Sequence, residues 1–173
     1  MKTLLSYNDL NFLASRVVTQ IRLLHETALK EKRVYLFAVA RGGLTFGHLV
    51  SSKMKMPLGV AFPLADGDVK LCHPAVPNEP GDYVFIYLED VIAKGRTFHQ
   101  VMSWHKRIYG DYVRGVFVPV ILDSGIGDEI RSQVNIYGTE SSDWVVFPHE
   151  DHTQVVEGDH GLFRDGTSEN SKQ

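Results

Sequence analysis

The sequence has little cysteine, no long apolar run and little net charge, and each shortage excludes a class of protein. A single cysteine, Cys72, excludes an internal disulfide and a zinc site made of cysteines alone. No stretch approaches the roughly 20 apolar residues of a membrane span, so we expect no membrane partner. The formal net charge of −3 gives no basis for nucleic-acid binding. The first nine residues become polar too quickly for a signal peptide, so we expect a cytoplasmic protein.

The residues that are present have the composition of a globular domain. Hydrophobic residues make up 43 % of the 173 residues and charged residues 23 %. Helical spacing alternates with short apolar runs that favour strands. The expected helices cover 7–31, 46–55 and 98–110, and the expected strands cover 34–39, 56–62, 84–88, 112–122 and 134–137, with a further apolar run over 144–148. The alternation predicts an open α/β sheet, one domain over 1–157 and a disordered tail over 158–173.

The chain is organised around residues 84–101. Val84–Leu88 predict a buried parallel strand, and the carboxylates Glu89 and Asp90 follow it. Open α/β sheets bind ligands at the carboxyl edge of their strands. The two acids can accept hydrogen bonds from ribose hydroxyls or hold a hard cation such as Mg²⁺. The alternative is an ordinary turn whose acids cap a helix and face solvent.

The loop over 93–97 leads from these acids into the next helix. The first N–H groups of a helix have no intrahelical partner and favour a phosphate. Gly95 allows the backbone to approach closely, and Thr97 is expected to cap the helix and offer its hydroxyl to the same phosphate. The stretch therefore predicts a sugar-phosphate ligand.

A second strand–glycine–helix turn lies at residues 40–45. Arg41 supplies a charged fork, and the pair Gly42 and Gly43 allows close approach to an anion. The alternative is a helix start with two glycines for steric room and a surface arginine. Residues 63–82 are rich in proline and glycine, and we expect them to form a loop that folds over the ligand as a flexible lid.

Three stretches in order resemble the type I phosphoribosyltransferases, and among them the xanthine, guanine and hypoxanthine enzymes. Residues 36–44 are similar to the family's pyrophosphate loop. Residues 85–97 are similar to its signature for phosphoribosyl pyrophosphate (PRPP). Residues 143–148 are similar to the hood segment, in which an aromatic ring stacks on a purine.

The resemblance implies transfer of ribose 5-phosphate from PRPP to a nucleobase, as in purine salvage, with release of pyrophosphate. It implies an α/β fold with a parallel twisted sheet flanked by helices, Mg²⁺, a small hood over about 123–157, and a homo-oligomer, dimer or tetramer. It assigns the pyrophosphate to Arg41 and Gly42, the ribose and Mg²⁺ to Glu89 and Asp90, the 5′-phosphate to Ala93, Lys94, Gly95, Arg96 and Thr97, and the base to Trp144 and the Val145 backbone. The catalytic residues would be Glu89, Asp90 and Arg41.

Three positions depart from the family pattern. Ala93 stands where the purine enzymes usually have an aspartate thought to handle the proton on the base, and Lys94 stands where they have a threonine. The lysine that contacts the purine is missing near the end of the 112–122 strand, where 120–122 are apolar. These departures leave two hypotheses: an active phosphoribosyltransferase, or a catalytically impaired regulatory protein that binds PRPP or a nucleotide.

Overall fold

The structure, a computed structural model, describes residues 2–28, 30, 32–73 and 82–150. Its elements in chain order are β1 (Lys2–Leu4), α1 (Tyr7–Ala28), β2 (Arg33–Val39), α2 (Gly43–Met54), β3 (Leu58–Pro63), β4 (Val69–Cys72), β5 (Tyr83–Ile92), α3 (Arg96–Tyr109), β6 (Arg114–Asp123), α4 (Asp128–Gln133), β7 (Thr139–Ser141) and β8 (Trp144–Val146). None of the helices within these ranges is long and apolar enough to cross a membrane.

Six strands form the main sheet in the order β4-β3-β2-β5-β6-β7. All neighbours are parallel except β3 and β4, which are antiparallel. The first and last strands, β1 and β8, form a separate parallel pair. The predicted α/β fold with a parallel sheet flanked by helices is thus confirmed.

The position of β5 inside the sheet, with helices on both faces, explains why its sequence is a continuous apolar run. Alternate side chains such as Ile86 pack with α1 and α2 on one face, whereas Phe85 and Tyr87 pack with α3 on the other. A strand that is covered on both faces buries every side chain, so it has no polar alternation. Residues Val84 to Leu88 are all fully buried.

A buried histidine fixes α3 against β5. The hydroxyl of Tyr87 lies 2.8 Å from Nδ1 of His105, and Nε2 of His105 lies 2.8 Å from the carbonyl oxygen of Val113. A carbonyl only accepts, so Nε2 carries the proton, and Nδ1 accepts from the tyrosine. Burial lowers the pKa of His105, against the opposite effect of the bond to Val113. The ring is therefore neutral and serves as a structural link.

The prediction of a loop over 63–82 is wrong for the first half of that range. A tight turn after β3 leads into β4, which adds an antiparallel strand to the sheet edge. The amide of Gln100 donates to the carbonyl oxygens of Leu64 and Asp68 at 2.7 and 3.0 Å, and Arg107 pairs with the Asp68 carboxylate at 2.7 Å. This turn is therefore anchored to α3. The remainder of the predicted lid, 74–81, and the predicted tail lie outside the described residues.

Short elements near the end of the chain also differ from the prediction. Residues 134–137 do not form the expected strand, whereas Thr139–Ser141 pair with Ile121–Asp123 of β6. The short helix α4 and strand β1 were not predicted. A strand of three residues depends on the edge that it pairs with, and local sequence does not record that edge.

Candidate functional site

The acidic pair lies inside the central strand, because β5 continues through Glu89 and Asp90 to Ile92. The expectation that the strand stops at Leu88 is therefore wrong by four residues. Glu89 is only 6 % exposed, whereas Asp90 is half-buried at the carboxyl edge of the sheet. The two adjacent carboxylates thus have different environments.

Glu89 faces the start of α2 across the sheet edge. Burial raises the pKa of Glu89 well above its usual range, and the neighbouring charge of Asp90 raises it further. Hydrogen bonds from the backbone N–H groups of Asp90 and Gly43 act in the opposite direction. Gly43 is the first residue of α2, so the Glu89 carboxyl lies close to an N–H group that the helix leaves unpaired at its start. Glu89 therefore lies between β5 and the start of α2.

The glycine pair before α2 brings the predicted pyrophosphate loop against Asp90. A β-carbon at position 42 would lie 2.6 Å from Cγ of Asp90, and one at position 43 would overlap the carbonyl oxygen of Leu88. Side chains at these two positions would force the loop away from the strand. Arg41 is exposed beside them, and the Ala40–Arg41 peptide bond is cis. The structure thus brings Gly42 against Asp90, with Arg41 one residue before it.

The loop after β5 ends at a left-handed glycine. Gly95 has φ 70° and is the N-cap of α3, which begins at Arg96. This conformation favours glycine, and a β-carbon there would also overlap the end of the Ile130 side chain. The cap has no side-chain hydrogen bond, so the expectation that Thr97 caps the helix is wrong; Thr97 is the second helical residue. The Thr97 hydroxyl therefore does not accept hydrogen bonds from the first N–H groups of α3.

A cavity of about 350 Å³ lies at the start of α3. Its lining includes the five predicted phosphate residues, Ala93 and the four residues Lys94–Thr97. Two of these four side chains are cationic, and the amides of the first turn carry the positive end of the helix dipole. The cavity therefore has the charge that an anion requires.

A second cavity of about 330 Å³ lies beside the first. Val91, Ala93 and Trp144 line both of them, and Asp123 and Val145 are further walls of the second. Trp144 is 38 % exposed, so part of its ring is open to a ligand. The two predicted base-binding residues are thus together, next to the predicted phosphate loop.

Not every predicted residue lines these cavities. Arg41, Gly42, Glu89 and Asp90 lie next to one another at the sheet edge but are absent from the described walls of both cavities. Asp123 does line the second cavity, and the sequence analysis missed it because the predicted strand stopped at Leu122. The signal for it was the first polar residue after the apolar run of β6.

No protein-family model matches the sequence, and no curated protein matches it significantly. Solved structures do match. A purine phosphoribosyltransferase from Pyrococcus horikoshii OT3 has a TM-score of 0.62 at 19 % identity, over 87 % of this chain and 94 % of that one. The xanthine-guanine-hypoxanthine phosphoribosyltransferase of Helicobacter pylori has a TM-score of 0.63 at 13 % identity, over 85 % and 92 % of the two chains.

The chain has the type I phosphoribosyltransferase fold. The resemblance inferred from three short stretches is therefore confirmed at the level of the fold. The same phosphoribosyltransferase fold occurs in a protein of Neisseria gonorrhoeae described as hypothetical and solved with bound ppGpp, with a TM-score of 0.65 at 12 % identity over 88 % of this chain and 90 % of that one.

Proposed function

We propose that the chain is a phosphoribosyltransferase that transfers ribose 5-phosphate from PRPP to a nucleobase and releases pyrophosphate. The observation that carries the proposal is the pair of adjoining cavities that share Ala93 and Trp144. One has cationic walls and free helix-start amides, and the other has an aromatic wall. A nucleotide has the same two ends, a phosphate and a flat base, joined by a pentose.

The phosphate end fits the start of α3. The N–H groups of Arg96 and Thr97 have no intrahelical acceptor, because they belong to the first turn. Lys94 and Arg96 add positive charge, and the Thr97 hydroxyl adds a donor. Gly95 keeps this backbone free of a side chain, so a phosphoryl oxygen can approach it. These residues would hold the 5′-phosphate of PRPP and of the nucleotide product.

The pentose and pyrophosphate fit the acidic edge of β5 and the loop before α2. Asp90 is the more accessible of the two acids and would accept hydrogen bonds from ribose hydroxyls. Glu89 would act mainly by holding α2, and with it Arg41, in place. Arg41 would then meet the negative charge that develops on the leaving pyrophosphate. In this arrangement Asp90 and Arg41 contact the substrate, and Glu89 positions the loop.

The same residues fit a magnesium ion that arrives with its substrate. The described residues contain no group of three or more His, Cys, Asp or Glu side chains that could hold a metal by themselves. Mg²⁺ is commonly bound by one or two carboxylates together with substrate phosphates. The accessible Asp90 would be the direct ligand, and the buried Glu89 would lie behind it. Bound there, Mg²⁺ would neutralise charge on the pyrophosphate.

The base would lie in the second cavity against Trp144. Stacking of a base on an aromatic side chain contributes about 1–3 kcal/mol and tolerates different bases. The Val145 backbone, next to Trp144 on β8, would contact the edge of the base. The proposal extends to a homo-oligomeric cytoplasmic enzyme of purine salvage, for which the resemblance is the support.

A turnover assay tests the proposal. Incubation with PRPP, Mg²⁺ and a panel of purines and pyrimidines should release pyrophosphate with at least one base. Asp90→Asn should lower the affinity for PRPP and the rate, because it removes the charge while keeping the size of the side chain. No pyrophosphate release with any base would contradict an enzymatic function.

The second candidate function is a regulatory protein that binds PRPP or a nucleotide without turnover. Ala93 favours it, because its methyl group lines both cavities where the resemblance places a proton-transferring aspartate. The N. gonorrhoeae protein of this fold was also solved with a bound nucleotide, ppGpp. Loss of a proton-transfer group typically costs about 10²–10⁴-fold in rate and leaves the rest of catalysis, so we favour the enzyme.

Ala93→Asp separates the two candidates. If the native protein is an enzyme that works without a proton acceptor at this position, the variant should be at most modestly faster. A large rise in rate from an undetectable level, together with tight PRPP binding by the native protein in calorimetry, would instead support the regulatory function.

A further inference from the structure

The second cavity has an unusual polar wall for a base-binding site. Its polar side chains are two carboxylates and two hydroxyls, from Asp123, Ser141, Ser142 and Asp143. Of the described residues that line it, none is a lysine, an arginine or an amide side chain. A carboxylate accepts hydrogen bonds and donates none at neutral pH. The charged part of this wall therefore favours hydrogen-bond donors.

Asp123 is held firmly in this wall. It is the last residue of β6 and is registered with Ser141 of β7. Its Oδ1 accepts a 2.7 Å hydrogen bond from the backbone N–H of Gly125, so the carboxylate has a fixed position. One oxygen thus closes the turn after β6, and the residue also lines the cavity.

The arginine of the adjoining helix α4 does not offset the charge of Asp123. Arg131, on the adjoining helix α4, does not line the cavity. Its guanidinium pairs with the Glu140 carboxylate at 2.8 Å and donates to the carbonyl oxygen of Ser124 at 3.0 Å. An exocyclic oxygen on a base would therefore meet the negative charge of Asp123 without a compensating cation from α4.

We propose that Asp123 is a specificity-determining residue that favours a nucleobase with an exocyclic amino group over one of the same size with only exocyclic oxygens. This inference rests on the proposed function, because it takes the second cavity as the base site. The amino group donates a hydrogen bond to the carboxylate, whereas an oxo group in the same place repels it. A charged hydrogen bond of this kind corresponds to a preference of about tenfold or more.

Nucleoside monophosphates test the inference by calorimetry without any need for turnover. AMP and IMP differ in an amino or oxo group at carbon 6 and in the proton on nitrogen 1, whereas GMP and IMP differ only in an amino group or hydrogen at carbon 2. We expect at least one amino-bearing nucleotide to bind about tenfold or more tighter than IMP. Asp123→Asn keeps the size of the side chain and an oxygen for Gly125, but adds a donor. This variant should bring the ratio of the affinity for the amino-bearing nucleotide to the affinity for IMP close to one, mainly by improving the binding of IMP.

The control variant is Asp128→Asn, at the start of α4 and outside the cavity, which removes the same charge. It should keep the wild-type ratio. Tighter binding of IMP by the wild-type protein, or an unchanged ratio in Asp123→Asn, would overturn the inference while leaving the phosphate site intact. Failure of every nucleotide to bind would overturn both this inference and the proposed function.

Discussion

Gly43→Ala tests the contact that joins the pyrophosphate loop to the acidic strand. A β-carbon at position 43 would lie 3.1 Å from the carbonyl carbon of Leu88 and 3.0 Å from Cα of Glu89, and would overlap the Leu88 carbonyl oxygen. Carbon atoms in favourable contact are about 3.5–4.0 Å apart, so α2 and β5 would have to separate by about 0.5 Å or more. All three atoms belong to the backbone of the central strand, which has no alternative rotamer.

The expected change in the free energy of unfolding follows from two opposing effects. Overpacking of a core contact costs about 1–3 kcal/mol, and a backbone contact belongs at the upper end of that range. Alanine is the better helix former by about 0.5–1 kcal/mol, which offsets part of the cost. We expect a net loss of about 2 kcal/mol in the free energy of unfolding, or about 4–8 °C in Tm for a chain of this size. The affinity for PRPP should also fall, because Arg41 moves with α2.

Urea titration followed by tryptophan fluorescence measures the stability, and calorimetry measures the affinity for PRPP. The matched control is Gly127→Ala, since a β-carbon there meets no atom within 4 Å and the residue also precedes a helix. This control should change the stability by no more than about 0.5 kcal/mol. A Gly43→Ala variant as stable as the wild type, with unchanged affinity for PRPP, would refute the role of this contact.

Two further predictions concern the base site and the buried histidine. Trp144→Ala should weaken nucleoside monophosphate binding by roughly 5- to 150-fold in calorimetry, whereas Trp144→Phe should keep most of the affinity; equal affinity in all three proteins would remove Trp144 from the base site. The free energy of unfolding should fall as the pH drops below about 6.5, because the unfolded chain takes up a proton on His105 before the folded chain does. The slope from this one residue is at most about 1.4 kcal/mol per pH unit, and urea titrations should show a flatter profile for His105→Gln; an unchanged slope in that variant would show that other groups cause the pH dependence.

The large elements were predictable because their burial leaves a mark on the sequence. The spacing of apolar residues in α1 and the continuous apolar run of β5 follow directly from the faces that they cover. The glycines at 42, 43 and 95 were predictable for a similar reason, because close approach and positive φ both select glycine. These features located the site at the carboxyl edge of the sheet.

The misassigned segments depend on partners that are distant in the sequence. The turn before β4 looked like part of a long loop, but the side chains of Gln100 and Arg107 on α3 hold it to the sheet. The acidic pair looked like the end of a strand, but its neighbour β6 is equally long, and pairing continues to Ile92 and Leu122. Strand length is thus set by the partner, which a single stretch of sequence does not reveal.

The different environments of the predicted site residues could not be read from the sequence. Glu89 and Asp90 are equivalent in sequence, and only burial separates the carboxyl that holds α2 from the one that remains accessible. Asp123 was missed because it lies far from the central motif and enters the cavity through the pairing of β6 with β7. Cavities are formed by residues from separate elements, so their walls emerge only from the fold.

The most direct test of the account is a crystal structure of the protein with a bound nucleoside monophosphate. We expect the phosphate to contact the backbone N–H groups at Gly95, Arg96 and Thr97, the ribose hydroxyls to contact Asp90, and the base to stack on Trp144. A nucleotide that binds elsewhere, or one that occupies these cavities with its base at the start of α3 and its phosphate against Trp144, would contradict it.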